Sequence, residues 1–142
     1  MPKKPLFILL TAVVATATLA ASGQKESATI NVSRTSPADG KAMYASYCTP
    51  CHGVDGKGKG RLSSSLKRKP TDLTTLSKNN GGVYPADHVV GVLSHGTSTS
   101  GHDKAGMPEW AITLGNMDQN NKLDTKLRIN NLSKYVETLQ TR

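Results

Sequence analysis

Residues 48–60 read CTPCHGVDGKGKG. Cys48 and Cys51 stand three apart, His52 follows at once, and a glycine–lysine run trails to Gly60. Four chemistries use parts of such a string. A phosphate-binding loop matches from Gly53 to Lys59, but Gly60 stands where a Ser or Thr should hold magnesium. That loop must also leave a buried strand and open a helix, whereas this run leaves a helix-like segment. Structural zinc needs four ligands, usually as a second spaced pair, and His88, His95 and His102 form no such pair with His52. A three-apart cysteine pair is the pattern of redox dithiols, yet no βαβ pattern surrounds it. The remaining reading is covalent haem attachment, which takes Cys-x-x-Cys-His as its signature. Thiols one helical turn apart reach two vinyl groups on one porphyrin edge, and the adjacent histidine directs a nitrogen at iron.

The rest of the chain supplies what that chemistry needs. Lys3 and Lys4 precede an apolar and small-residue run from Leu6 to Ala21, closed by Ser22 and Gly23. This is the order of a secretory signal peptide, and residues 1–22 are expected to be removed on export. The run is diluted by Thr11, Thr16 and Thr18, and falls short of the ~20 strongly apolar residues of a spanning helix. Residues 23–35 are polar and unpatterned, and read as a flexible leader. One domain, residues 36–142, follows. The chain of 142 residues has one Trp, four Tyr and one Phe, and the Phe lies in the signal. So small a domain with so few large apolar side chains needs a staple or a cofactor in its centre.

With 18 Lys and Arg against 10 Asp and Glu the net charge is +8, and it stays basic after loss of Lys3 and Lys4. A positive field attracts acidic protein surfaces, anionic lipid or nucleic acid, and an exported chain argues against nucleic acid. Lys57, Lys59, Arg61, Lys67, Arg68 and Lys69 concentrate this charge, most of them reading as solvated loop.

The pattern predicts an all-α fold of three to five helices. Ser36-Pro37-Ala38-Asp39 reads as a serine cap with proline at the first helical position, opening a helix that carries Met43, Tyr44 and Tyr47 into the cysteine pair. Short helical turns are expected at residues 62–66 and 72–77, with a stop at Asn79-Asn80-Gly81-Gly82. Pro85-Ala86-Asp87 starts a helix ended by Gly96. Residues 96–106 read as a polar loop. The last helix offers Leu127, Leu132, Tyr135, Val136 and Leu139 for a broad apolar face.

The sixth iron ligand decides what a haem can do. A methionine sulfur favours the reduced ion and leaves no vacancy for small molecules. Met43 shares the attachment helix with Tyr47 and reads as core. Met117 sits among polar residues. Met107, in KAGMPEW, is followed by a stiffening proline and lies far enough along the chain to cross to the other haem face. His95 and His102 compete, but their neighbours Gly96 and Gly101 suggest solvated helix-end or loop positions. Met107 is the expected ligand.

Over residues 36–140 the chain resembles the class I mono-haem cytochromes c, on GKAMYASYCTPCHGVDGKGKG at residues 40–60 and MPEW at 107–110. The resemblance implies a cytochrome c fold around one haem c, tethered by Cys48 and Cys51 with His52 and Met107 as axial ligands. It implies that Gly40 crosses an aromatic of the last helix, with Tyr135 and Leu132 as partners. It also implies that the Pro70 carbonyl receives the second nitrogen of His52, and that Trp110 packs on the haem.

The function so implied is one-electron transfer in the periplasm or outside the cell by a monomeric carrier, not an enzyme. Its partners would be redox proteins with acidic docking surfaces, membrane-bound ones included. The glycines after His52 would let backbone lie against the haem edge. Two alternatives stay open: a five-coordinate haem sensor or gas-binding protein, and a haem subunit of a larger oxidoreductase complex. Pro50 within the cysteine pair has no explanation at this level.

Overall fold

In the computed structural model of the chain, the described residues are 34–66, 68–96, 107, 110–117, 119 and 121–141. The proposed signal, the leader up to residue 33 and the loop at 97–106 lie outside them. The described residues are helical without strands, as a cytochrome c fold requires.

The chain enters through a turn, not a serine cap. Ser36 accepts from the Asp39 and Ala38 amides through its carbonyl and its Oγ, which uses both Ser36 acceptors ahead of the helix. Asp39 is the cap: its Oδ1 accepts from the Ala42 amide at 2.8 Å, an interaction aspartate makes as well as serine. Helix α1 (Gly40–Met43) then runs through a π-helical turn (Tyr44–Cys48) into α2 (Thr49–His52). Pro50 accounts for the widening. Proline has no amide hydrogen, and in a regular helix its ring collides with the carbonyl four residues back. A π turn directly ahead of it relieves that collision, and Thr49 bonds the Tyr44 carbonyl through both its amide and its Oγ1.

Two 3₁₀ turns, Ser63–Ser65 and Leu73–Thr75, fall where short helical turns were expected, and the second leads into α3 (Leu76–Asn79). Asp72 caps that turn by accepting from the Thr74 amide and hydroxyl. Helix α4 (Ala86–His95) lies between Pro85 and Gly96. A further helix, α5 (Trp110–Met117), was absent from the sequence reading. Gly115 and Asn116 blur its pattern, and burial of Trp110 and Leu114, one helical turn apart, holds it.

Helix α6 (Lys122–Thr138) is capped by Asn121, whose Oδ1 accepts from the Leu123 and Asp124 amides. Its inward stripe is Ile129, Leu132 and Val136, joined by Arg128 and Ser133. Leu127, assigned above to the apolar face, is 44 % exposed. Five residues from 127 to 132 do not fit helical spacing, whereas 129, 132 and 136 do.

Helices α1 and α6 cross at Gly40. A Cβ there would collide with the Asn131 carbonyl and crowd the Tyr135 Cβ. Tyr44 and Tyr135 pack with ring centroids 5.2 Å apart, and Asn131 donates to the Pro37 carbonyl at 2.9 Å. Above this crossing, Met43, Tyr47, Leu93, Trp110, Leu114 and Leu132 form the core. This frame leaves one side of the attachment helix facing a cavity.

Candidate cofactor site

The cavity holds about 450 Å³, inside the roughly 300–1,000 Å³ range of small-molecule and cofactor sites. Cys48, Cys51 and His52 line it from the attachment helix, Val89, Val92 and Leu93 from α4, and Leu132 and Val136 from α6. Met107 and Trp110 line it from the segment leading into α5. The elements that bury the core therefore also wall the site, and the wall is mainly apolar. Left empty, such a wall lacks contact partners on one side, a need that a flat apolar ligand meets.

Both cysteines are free thiols. Burial pushes the Cys48 thiol up to about 12, with Cys51 adding to the rise. Burial also raises Cys51, against a lowering pull from Arg61. These groups are neutral sulfhydryls, which add S–H across a vinyl double bond with no change in charge. Zinc would need thiolates, and among the described residues no group of three or more His, Cys, Asp or Glu could hold a metal ion.

His52 Nδ1 lies 3.0 Å from the Thr71 carbonyl. A carbonyl only accepts, so Nδ1 carries the proton and the ring lone pair is on Nε2. That is the tautomer an iron ligand requires. The carbonyl found here is Thr71's, one residue beyond the expected Pro70. Pro70 lines the cavity, but its own carbonyl abuts Gly58.

The glycines of the loop between His52 and Pro70 serve the backbone and not the cavity wall. Gly58, at φ +73, leaves no room for a Cβ beside the Pro70 carbonyl, and Gly60 leaves none beside the Pro50 and Thr49 carbonyls. Amides of Gly58, Gly60 and Leu62 donate to the carbonyls of His52, Cys51 and Pro50. The loop thereby satisfies the open carbonyl end of α2, and none of these glycines lines the cavity.

Of the methionines among the described residues, Met107 alone lines the cavity. Met43 is fully buried with its sulfur 3.8 Å from Arg128 Nη1. The Met117 sulfur accepts from the Tyr47 hydroxyl at 3.6 Å. His95 is exposed at the end of α4 and away from the cavity, and His102 lies outside the described residues. His88, weighed from the sequence only as a zinc ligand, does line it from the first turn of α4. Its position three and four residues ahead of Gly91 and Val92 on one helix face was the available signal. Trp110 is 3 % exposed and stacks on Tyr47, centroids 5.6 Å apart at 28°. Arg68 and Lys69 are exposed and belong to the rim.

Comparison with protein families gives a match. The family described as cytochrome c oxidase, cbb3-type, subunit III covers residues 35–121. No curated protein and no solved structure matches the chain.

Proposed function

The chain belongs to the cytochrome c oxidase, cbb3-type, subunit III family, and from that premise we propose that Cys48 and Cys51 tether its haem while His52 and Met107 ligate the iron. A domain of this kind carries one covalently bound haem c and serves electron transfer. Bound there, the haem supplies a one-electron ferric/ferrous couple. The residues around it fit the group: two neutral thiols, a histidine in the right tautomer and an apolar wall. Thr71 fixes the His52 ring through its Nδ1 proton, which orients the donor and raises its basicity. Pro70 and Trp110 belong to the haem surroundings, Trp110 as a flat face on the cavity wall.

The observation that carries the Met107 assignment is its place on the cavity wall while the Met43 and Met117 sulfurs face Arg128 and Tyr47. A thioether holds ferrous iron well and leaves no vacant site, which suits a carrier over a gas sensor. Residues 1–22 direct export, residues 36–142 form the working domain, and the carrier operates in the periplasm or beyond. Arg68 and Lys69 at the rim draw in partners with acidic surfaces in a salt-dependent way. The family description favours a second reading, in which the same electron transfer occurs within an oxidase assembly and the partner is fixed.

The test is the red sulfur-to-iron charge-transfer band of the oxidised protein. Met107→Ala should abolish it and His88→Ala should leave it. Persistence in Met107→Ala would overturn the ligand assignment. Absence of the band in the wild type, with ready carbon monoxide binding, would favour a five-coordinate sensor.

A further inference from the structure

The polar leader ends in a residue hydrogen-bonded to the core. Thr35 was read as the last residue of a flexible segment, yet it is fastened on two sides. Arg128 Nη1 donates to the Thr35 carbonyl at 2.7 Å and to its Oγ1 at 3.2 Å. The same Oγ1 lies 2.6 Å from the Tyr47 hydroxyl, and that hydroxyl donates to the Met117 sulfur at 3.6 Å. Guanidinium only donates and a thioether only accepts; with the Tyr47 proton on Met117, Thr35 accepts from Arg128 and donates to Tyr47. Bonds aligned in this way reinforce one another.

Tyr47 lies at the centre of this line. Its hydroxyl is held by Thr35 and Met117, and its ring lines the cavity and stacks on Trp110. Trp110 stands three residues after Met107, a span of at most about 11 Å of extended chain. Arg128 is 1 % exposed and cannot follow solvent. The line therefore joins α6, the segment ahead of α1, the attachment helix and, at Met117, the end of α5, while the Tyr47 ring stacks on Trp110 at the start of α5.

We infer that Thr35 is a positioning residue of the haem site, fixing through Tyr47 the Trp110 wall and with it the segment that presents Met107. The part concerning Met107 rests on the ligand assignment above; the part concerning Trp110 does not. Loss of the Thr35 hydroxyl removes a hydrogen-bond partner of the Tyr47 hydroxyl and lets the two stacked rings shift together.

The chain has one tryptophan, so tryptophan emission from the full haem-loaded protein reports Trp110 alone, quenched by energy transfer to the haem. Thr35→Val keeps the shape and removes the hydroxyl; Thr35→Ser keeps the hydroxyl. In Thr35→Val and Tyr47→Phe, emission should rise severalfold at temperatures where far-ultraviolet circular dichroism is unchanged. Thr35→Ser should restore quenching, and the double variant should add little to the larger single effect. The charge-transfer band should fade at a lower temperature in the same variants. Emission that stays quenched until global unfolding in Thr35→Val would overturn the inference, as would equal effects from Thr35→Ser. A wild type without the band would overturn the Met107 assignment, and the emission experiment would still decide the role of Thr35.

Discussion

Gly40 of α1 lies against the Asn131 carbonyl of α6, with the Tyr135 Cβ beside it, and no side chain fits between them. This contact sets how closely the two helices cross, and α6 and the attachment segment that continues α1 line the cavity further along. Gly40→Ala forces a methyl group onto a backbone oxygen. Neither backbone can give without moving Tyr44 against Tyr135. Overpacking of this kind costs about 1–3 kcal/mol. Denaturant unfolding of the haem-loaded protein should show a lower midpoint at unchanged slope. An unchanged midpoint would mean that the helices separate freely at this point.

The two cysteines make a separate prediction about the tether. Cys48→Ser or Cys51→Ser should each leave haem covalently bound through the remaining sulfur, and the double variant should leave none, read by haem staining after denaturing electrophoresis. The double variant also exposes what the haem does for the fold. Without it, an apolar cavity of about 450 Å³ lacks contact partners on one side. Far-ultraviolet circular dichroism should then show reduced helix content. Full helicity in the haem-free protein would contradict the view that the core depends on the cofactor.

Gly58 links loop geometry to the haem ligand. At φ +73 it sits against the Pro70 carbonyl and close to Thr71, whose carbonyl receives His52 Nδ1. Gly58→Ala brings a left-handed backbone penalty of roughly 1–2 kcal/mol together with a direct clash. The segment that must yield is the one that orients His52. The variant should lose stability and also shift its reduction potential, because the hydrogen bond tunes the ligand's basicity. Potentiometric titration beside thermal unfolding separates the two effects. A loss of stability with the potential unmoved would show that Thr71 does not tune the iron.

Comparison of particular elements shows why some of this was readable from residues alone. The cysteine–histidine string needs only local spacing, and spacing is what a sequence displays. Helices α4 and α6 announce themselves by Pro85 and Gly96 and by apolar period. Asp39 displaced Ser36 as cap because two good capping residues stand three apart, and the choice between them depends on the turn each makes. Ile129 displaced Leu127 because the face of α6 is set by what α1 and α4 bring to it. Helix α5 was hidden because its support comes from Trp110 and Leu114 entering a core built by distant residues. The Thr71 carbonyl and the Thr35 clasp are contacts across 19 and 93 residues, and no local pattern encodes them. Pro50 became intelligible only with the π turn in view.

Tyr84 gives the pH dependence a defined sign. Its hydroxyl donates to the Ser133 carbonyl at 2.8 Å. Burial raises its pKa above the ordinary tyrosine value, the Ser133 side chain pulls it down, and Glu137 pushes it up. The folded protein therefore holds the phenolic proton more tightly than the unfolded chain does. The stability so gained is complete below the unfolded value, about 10, and is lost as pH rises through the folded value. Tyr44 is raised in the same direction, chiefly by burial and then by Cys48, Tyr135 and Asp55, so an alkaline decline persists without Tyr84. Tyr84→Phe removes the Ser133 hydrogen bond, at a cost of about 0.5–1.5 kcal/mol near neutral pH. The same variant has no proton to lose at position 84. Its melting temperature should start below that of the wild type at pH 7 and converge on it above about pH 10. Parallel curves across that range would show that Tyr84 does not carry the alkaline dependence.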